Sequence, residues 1–245
     1  MKNVLLVIAS FLVLTGCLRL DDNLYDPTAL KEYQLDKYTG EVDFYLNSDY
    51  AIPSSLVHIF TLPSQAPDES TPTTIYAIYI GEISKIATDT VIMYCHGNRD
   101  HMDFYWPRAK LLANAGSKNR FGILMIDYRG FGMSGGETSE KGLYADADAA
   151  LLWLKNKGLS NDRLVLYGFS LGSAPATKLT AHPRNMTPSK LILEAPFANA
   201  ETMVQDASGL ALPGTLVTDL KINNGDEIKS VQQPFFWIHG IDDDF

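Results

Sequence analysis

The sequence predicts an α/β fold, a mostly parallel central sheet with helices on both faces. Three observations predict it. From Thr90 onward, short continuous apolar runs alternate with stretches of helical periodicity, the pattern of strands buried on both sides of a parallel sheet. A Gly-x-Ser-x-Gly run, Gly168-Phe169-Ser170-Leu171-Gly172, sits between one such apolar run and a helix-like stretch. The chain has 245 residues, 46% of them hydrophobic and 20% charged, which suits one globular domain with a sizeable core.

The elements follow in order. Lys2 and the apolar run Val4 to Val13 form a leader too short to span a bilayer. Leu14-Thr15-Gly16-Cys17 then resembles the lipobox of bacterial lipoproteins. The resemblance implies cleavage before Cys17 and lipidation of its new N-terminus, making residues 1–16 a lipoprotein signal peptide. The localisation it implies is the bacterial cell envelope, with the protein bound to the membrane through the lipid on Cys17. Residues 17–54 are polar and irregular and read as a tether and edge segment. The domain proper is expected over residues 55–245.

Ser55 to Leu62 and Thr74 to Ile83 alternate and are rich in β-branched and aromatic residues, so both are predicted as strands. The Pro- and Ser-rich stretch Pro63 to Pro72 between them is a loop. Val91 to Cys95, Phe121 to Asp127, Arg163 to Tyr167, Leu191 to Glu194 and Phe235 to His239 are the predicted core strands. Helices are predicted over Phe104 to Ala115, Ser139 to Lys157 and Ser173 to Ala181. In the second of these, Leu143, Ala147, Ala150, Leu151 and Leu154 fall on one face. The segment 196–234 is too long for a plain crossover and carries Met203, Leu210, Leu212, Leu216 and Val217. It is the candidate cap over a site.

The formal net charge of −9 argues against nucleic acid as a partner, because a phosphate-binding surface is normally basic. The chain has two cysteines. With Cys17 taken by lipid, Cys95 stands alone on a strand and reads as a small buried apolar residue.

Strand, sharp turn with Ser, then helix is the setting of a nucleophile elbow. Side chains at positions 168 and 172 would collide with the neighbouring strand and helix, which accounts for the two glycines. Three further motifs accompany the elbow. His96-Gly97-Asn98 follows the first core strand. Asp127-Tyr128-Arg129-Gly130-Phe131-Gly132-Met133-Ser134-Gly135-Gly136 follows the next. His239-Gly240-Ile241-Asp242-Asp243 follows the last. In this order they resemble the α/β-hydrolase superfamily, in its serine aminopeptidase-like and esterase-like branch, over about Ser55 to Asp244.

The resemblance implies acyl transfer to Ser170, with an ester, thioester or amide as the bond cleaved. It makes Asp243 the triad acid and gives the oxyanion two backbone N–H donors, Leu171 and Asn98. His96 and His239 read as structural. Glu194 is the alternative acid. The substrate is expected to be a small or acylated molecule, and no cofactor or metal is expected.

The resemblance also places a base histidine after the acid. Only Asp244 and Phe245 follow Asp243, so the catalytic His is not present in this chain. His182 falls at the far end of the helix that begins at the elbow, roughly 18 Å from Ser170 at 1.5 Å per residue. The family's last strand and helix are missing as well, leaving Phe235-Phe236-Trp237-Ile238 as a bare apolar edge. The expectation is a C-terminally truncated hydrolase of weak or no activity. The first alternative is a non-catalytic hydrolase-like binding lipoprotein. A second is a metallo-β-lactamase-like metal hydrolase, from His96-Gly97-Asn98-Arg99-Asp100-His101, although Asn98 stands where that motif needs a ligand. Gly130 to Gly135 also spells G-x-G-x-x-G, but Asp146 and Asp148 fall within a helix rather than at the end of the next strand, so a dinucleotide site is not expected.

Overall fold

The computed structural model describes residues 24–208 and 218–241. Nine strands occur among them: β1 (Asp26–Pro27), β2 (Val57–Ser64), β3 (Thr73–Ile80), β4 (Val91–Cys95), β5 (Arg99–Asp100), β6 (Gly122–Asp127), β7 (Leu164–Phe169), β8 (Lys190–Glu194) and β9 (Phe235–Ile238). The helices are α1 (Met102–Ala113), α2 (Glu140–Asn156), α3 (Ser173–Ala181), α4 (Ala200–Ser208) and the short α5 (Asn224–Glu227).

Seven strands make one sheet in the order β2-β3-β6-β4-β7-β8-β9. β2, β3 and β6 pair antiparallel, and the pairs from β6 through β4, β7 and β8 to β9 are parallel. The core strands are apolar throughout because they are covered twice. Every residue of β4 and β6 is buried. α1 lies on one face, with Trp106, Ala109 and Ala113 against Ile92, Tyr94 and Met125. α2 and α3 lie on the other, where Leu143, Leu151 and Leu154 join Ala174, Leu179, Met93 and Leu166. The stripe predicted on α2 is fully buried, and the Ser139 hydroxyl caps the helix by accepting from the Gly142 N–H at 3.1 Å. This is the α/β-hydrolase fold.

Element boundaries differ from expectation by a few residues. β7 runs on through Gly168 and Phe169, so the turn begins at Ser170 itself. α1 starts at Met102 rather than Phe104. The carboxylate of the buried Asp103 accepts the backbone N–H groups of Gln34 and Leu35 at 2.9 and 2.8 Å, which anchors that first turn.

The larger difference is in residues 24–54, expected to be a tether and edge. Leu24 and Tyr25 are buried, and β1 pairs in parallel with β5 just past the end of β4. The segment then crosses the carboxyl ends of the sheet strands, held by backbone and side-chain hydrogen bonds that composition does not reveal. At the other end of the sheet order, β9 is an edge strand with Phe235, Phe236 and Trp237 more than half exposed.

Candidate active site

The site is built where three parallel strands end. Ser170 follows β7 directly and adopts φ +47°, a left-handed conformation that costs a non-glycine residue about 1–3 kcal/mol. The two glycines permit it. A Cβ on Gly168 would lie 2.6 Å from the Gly172 carbonyl oxygen and 2.9 Å from the Ala176 Cβ on α3. A Cβ on Gly172 would lie 2.0 Å from the carbonyl oxygen of Cys95, at the end of β4. The elbow is therefore pressed against both the helix behind it and the strand beside it.

Ser170 opens into a cleft of about 330 Å³ lined by Asn98, Phe169, Ala195, Pro196, Phe197 and Met203. Ala195, which also lines the cleft, is left-handed at φ +45° after β8, and Asp100 in β5 is left-handed at φ +58°. Leu171 is fully buried at the entry to α3, whose N-terminal dipole favours negative charge nearby. Asn98 lies on the loop after β4. The structure thus brings Ser170, Leu171 and Asn98 to one place. Cys17 and the acidic residues 242–244, Asp243 included, lie outside the described residues.

His96 is fully buried and shapes the loop. Its Nδ1 is 2.8 Å from the Gly97 carbonyl oxygen, so the ring donates there. Its Nε2 faces Asp127 Oδ1 at 3.2 Å, with both side chains shielded from solvent. The Tyr33 hydroxyl donates to the other Asp127 oxygen at 2.7 Å. Burial, with the Asp127 charge beside it, pushes the Tyr33 phenol well above its ordinary range, so it stays protonated as a donor.

The remaining candidates separate. Glu194, the alternative acid, has both oxygens on Arg108 Nη1, at 2.7 and 2.6 Å, and takes the Tyr167 hydroxyl at 2.6 Å. It is a structural ion-pair partner. Cys95 is buried in the core, and loss of solvent pushes its thiol up to about 12. His182 caps the end of α3 and sits 2.8 Å from Glu227. His239 lies beside Trp237, the two rings tilted by 59° with centroids 5.8 Å apart. His58 bonds the Gly81 carbonyl at 3.0 Å. His101 is buried against Tyr38. Among the described residues, no histidine lines the cleft, and no three His, Cys, Asp or Glu side chains group so as to hold a metal ion. The glycine-rich loop after β6 is closed by its own hydrogen bonds, Gly130 N–H to Gly135 O at 3.0 Å and Ser134 hydroxyl to Asp127 O at 2.7 Å.

Residues 87–243 match the family described as serine aminopeptidase, S33. The chain belongs to the S33 serine aminopeptidase family. Its relatives include alpha/beta hydrolase domain-containing protein 17B of Xenopus laevis, 30% identical over 62% of this chain and 50% of that protein. Protein bem46 of Schizosaccharomyces pombe is 32% identical over 62% of this chain and 51% of its own. The S33-family chain therefore spans about half the length of the curated relatives it matches. Among solved structures, an alpha-beta hydrolase from Vibrio vulnificus superposes with a TM-score of 0.59 at 23% identity, covering 77% of this chain and 65% of that one. The Pyrococcus furiosus esterase Pf2001 gives a TM-score of 0.60 at 15% identity, over 86% of this chain and 76% of that one. Identities this low establish the shared fold.

Sequence reasoning missed three contributors to this S33 site: the Tyr33 and Arg108 side chains, and the backbone N–H of Asp26, which donates to the Asn98 carbonyl. Asp26 and Tyr33 belong to the segment read as a tether, and Arg108 sits on α1 with its guanidinium carbon 3.9 Å from the Phe169 ring centroid. No local spacing marks them, because each acts on residues far away in sequence. The only signal was Asp127, already part of the motif after β6.

Proposed function

We propose that the protein is a serine hydrolase that cleaves an ester, thioester or amide through an acyl-enzyme on Ser170. The observation that carries the reading is Ser170 at φ +47°, lining a cleft it shares with Asn98. Ser170 Oγ attacks the substrate carbonyl carbon as its proton passes to a base. The oxyanion that forms takes hydrogen bonds from the backbone N–H groups of Leu171 and Asn98. The carbonyl reforms as the bond to the leaving group breaks, and water then releases the acyl group. Each preplaced oxyanion donor is worth about 2.7–4 kcal/mol of barrier. Asp243 is the proposed acid. Phe169, Pro196, Phe197 and Met203 give the cleft apolar walls suited to a small acyl group.

The protein is proposed to act in a bacterial cell envelope, lipid-anchored through Cys17. Among the described residues no helix is long and apolar enough to cross a membrane.

The competing reading is a non-catalytic binding lipoprotein. It is favoured by one observation, the lack of a histidine among the described residues lining the cleft. A fluorophosphonate probe on the folded, full-length protein separates the two. Labelling at Ser170, lost in Ser170→Ala, supports the hydrolase. Folded protein that stays unlabelled supports the binding module.

A further inference from the structure

The segment that crosses the strand ends does more than cover the core. Asn98 is flanked by two peptide planes, and both are pinned. In the first, the Gly97 carbonyl accepts from His96 Nδ1 at 2.8 Å. No peptide bond among the described residues is cis. The Asn98 N–H, on the opposite side of that trans plane, is therefore aimed away from His96. In the second, the Asn98 carbonyl accepts the Asp26 N–H at 2.8 Å.

The strand pairing Asp26 with Arg99 and Pro27 with Asp100 continues that grip. Thr28 Oγ1 donates to Asp100 Oδ1 at 3.2 Å. Asp100 sits at φ +58°, a strained conformation that persists only where its surroundings impose it. The same segment is fixed on its other side, with the Gly132 N–H donating to Thr28 O at 3.0 Å and the Leu30 N–H to Gly132 O at 2.8 Å. It ends at Tyr33, whose hydroxyl holds Asp127 in place behind His96.

We propose that residues 26–33 are a positioning strap for the oxyanion loop, in which the Asp26 N–H and the Tyr33 hydroxyl fix the two peptide planes around Asn98. The strap touches no substrate. Its proposed role in turnover rests on the serine-hydrolase reading of Ser170, whereas its grip on the loop can be read separately.

Asp26→Pro removes the N–H at an exposed position, and Asp26→Ala keeps it. In hydrolysis of a p-nitrophenyl ester by the full-length protein, Asp26→Pro is expected to lower kcat about 10- to 100-fold, the scale of a misplaced catalytic group, with KM unchanged. Asp26→Ala is expected to restore the wild-type rate. Thr28→Val, also at an exposed site, is expected to lower kcat about threefold, in line with the loss of one solvent-exposed hydrogen bond. Hydrogen–deuterium exchange gives the second readout. Amides over residues 97–101 should exchange faster in Asp26→Pro than in Asp26→Ala, whether or not either turns over ester. Equal exchange in the two variants overturns the strap, as does an equal loss of kcat in both. A wild-type protein that neither hydrolyses ester nor labels at Ser170 overturns the hydrolase reading instead, and the exchange comparison still decides the strap.

Discussion

The guanidinium carbon of Arg108 lies 3.9 Å from the centre of the Phe169 ring, against the residue that precedes Ser170. The same guanidinium bonds both oxygens of Glu194 and pairs with Asp43. One side chain thus ties together α1, the end of β7, the end of β8 and the N-terminal segment. Arg108→Lys keeps the charge but loses the planar stack and the fork of donors. It is expected to cost about 1–3 kcal/mol, the range for hydrogen bonds to charged groups that are only partly replaced. Urea unfolding measures this. Because Phe169 is a wall of the cleft, KM for an ester should rise as well. Unchanged stability and KM would show that the stack is incidental.

The elbow glycines give a sharper contrast. In Gly172→Ala the new methyl would meet backbone atoms, Cys95 O at 2.0 Å, Cys95 C at 2.4 Å and His96 O at 2.7 Å, none of which can rotate away. Overpacking of this kind costs about 1–3 kcal/mol or more and displaces Ser170. The variant should melt lower and lose probe labelling. Gly135→Ala, whose new methyl would be 3.6 Å from its nearest neighbour, should behave as wild type in both assays.

Some of this was legible in the sequence and some was not, for physical reasons. β4, β6 and β7 read clearly because burial on both faces demands unbroken apolar runs. α2 read clearly because it buries one stripe. The elbow read clearly because steric exclusion at two positions leaves a glycine two residues on either side of Ser170, at Gly168 and Gly172. The N-terminal segment was misread as a tether because its grip uses backbone donors, such as the Gln34 and Leu35 N–H groups on Asp103, which any residue type supplies. Tyr33 reaches Asp127 across 94 positions, beyond any local pattern. Glu194 was ambiguous because a strand-end carboxylate looks the same whether it serves a base or, as here, an arginine.

Cys95 carries a pH prediction. Burial raises its thiol to about 12, against about 8.5 in an unfolded chain. The sign follows from proton counts. Above pH ~8.5 the unfolded chain releases a proton that the native state keeps, so native stability falls as pH rises towards 12. At pH 8 the folded protein should leave Cys95 unmodified by iodoacetamide, and modification should appear with the urea transition. Peptide mapping isolates Cys95 from Cys17. Rapid alkylation of Cys95 in folded protein would contradict its burial.

The proposed lipid anchor predicts a division of activities. Nine residue steps separate Cys17 from Asp26 in sequence, at most about 32 Å of extended chain at 3.3–3.6 Å per residue. A lipid on Cys17 would therefore confine the cleft to a thin layer above the bilayer and raise its effective concentration towards substrates embedded there. Cys17→Ser should move the protein from the membrane to the soluble fraction of cells and remove the acyl mass from its N-terminal peptide. Its rate on a soluble short-chain ester should be unchanged, because the proposed acyl transfer gives Cys17 no chemical role. Its rate on an ester held in phospholipid vesicles should fall about 100-fold or more, the lower side of what tethering contributes. Membrane retention of Cys17→Ser, or equal loss of both activities, would remove the anchor from the account.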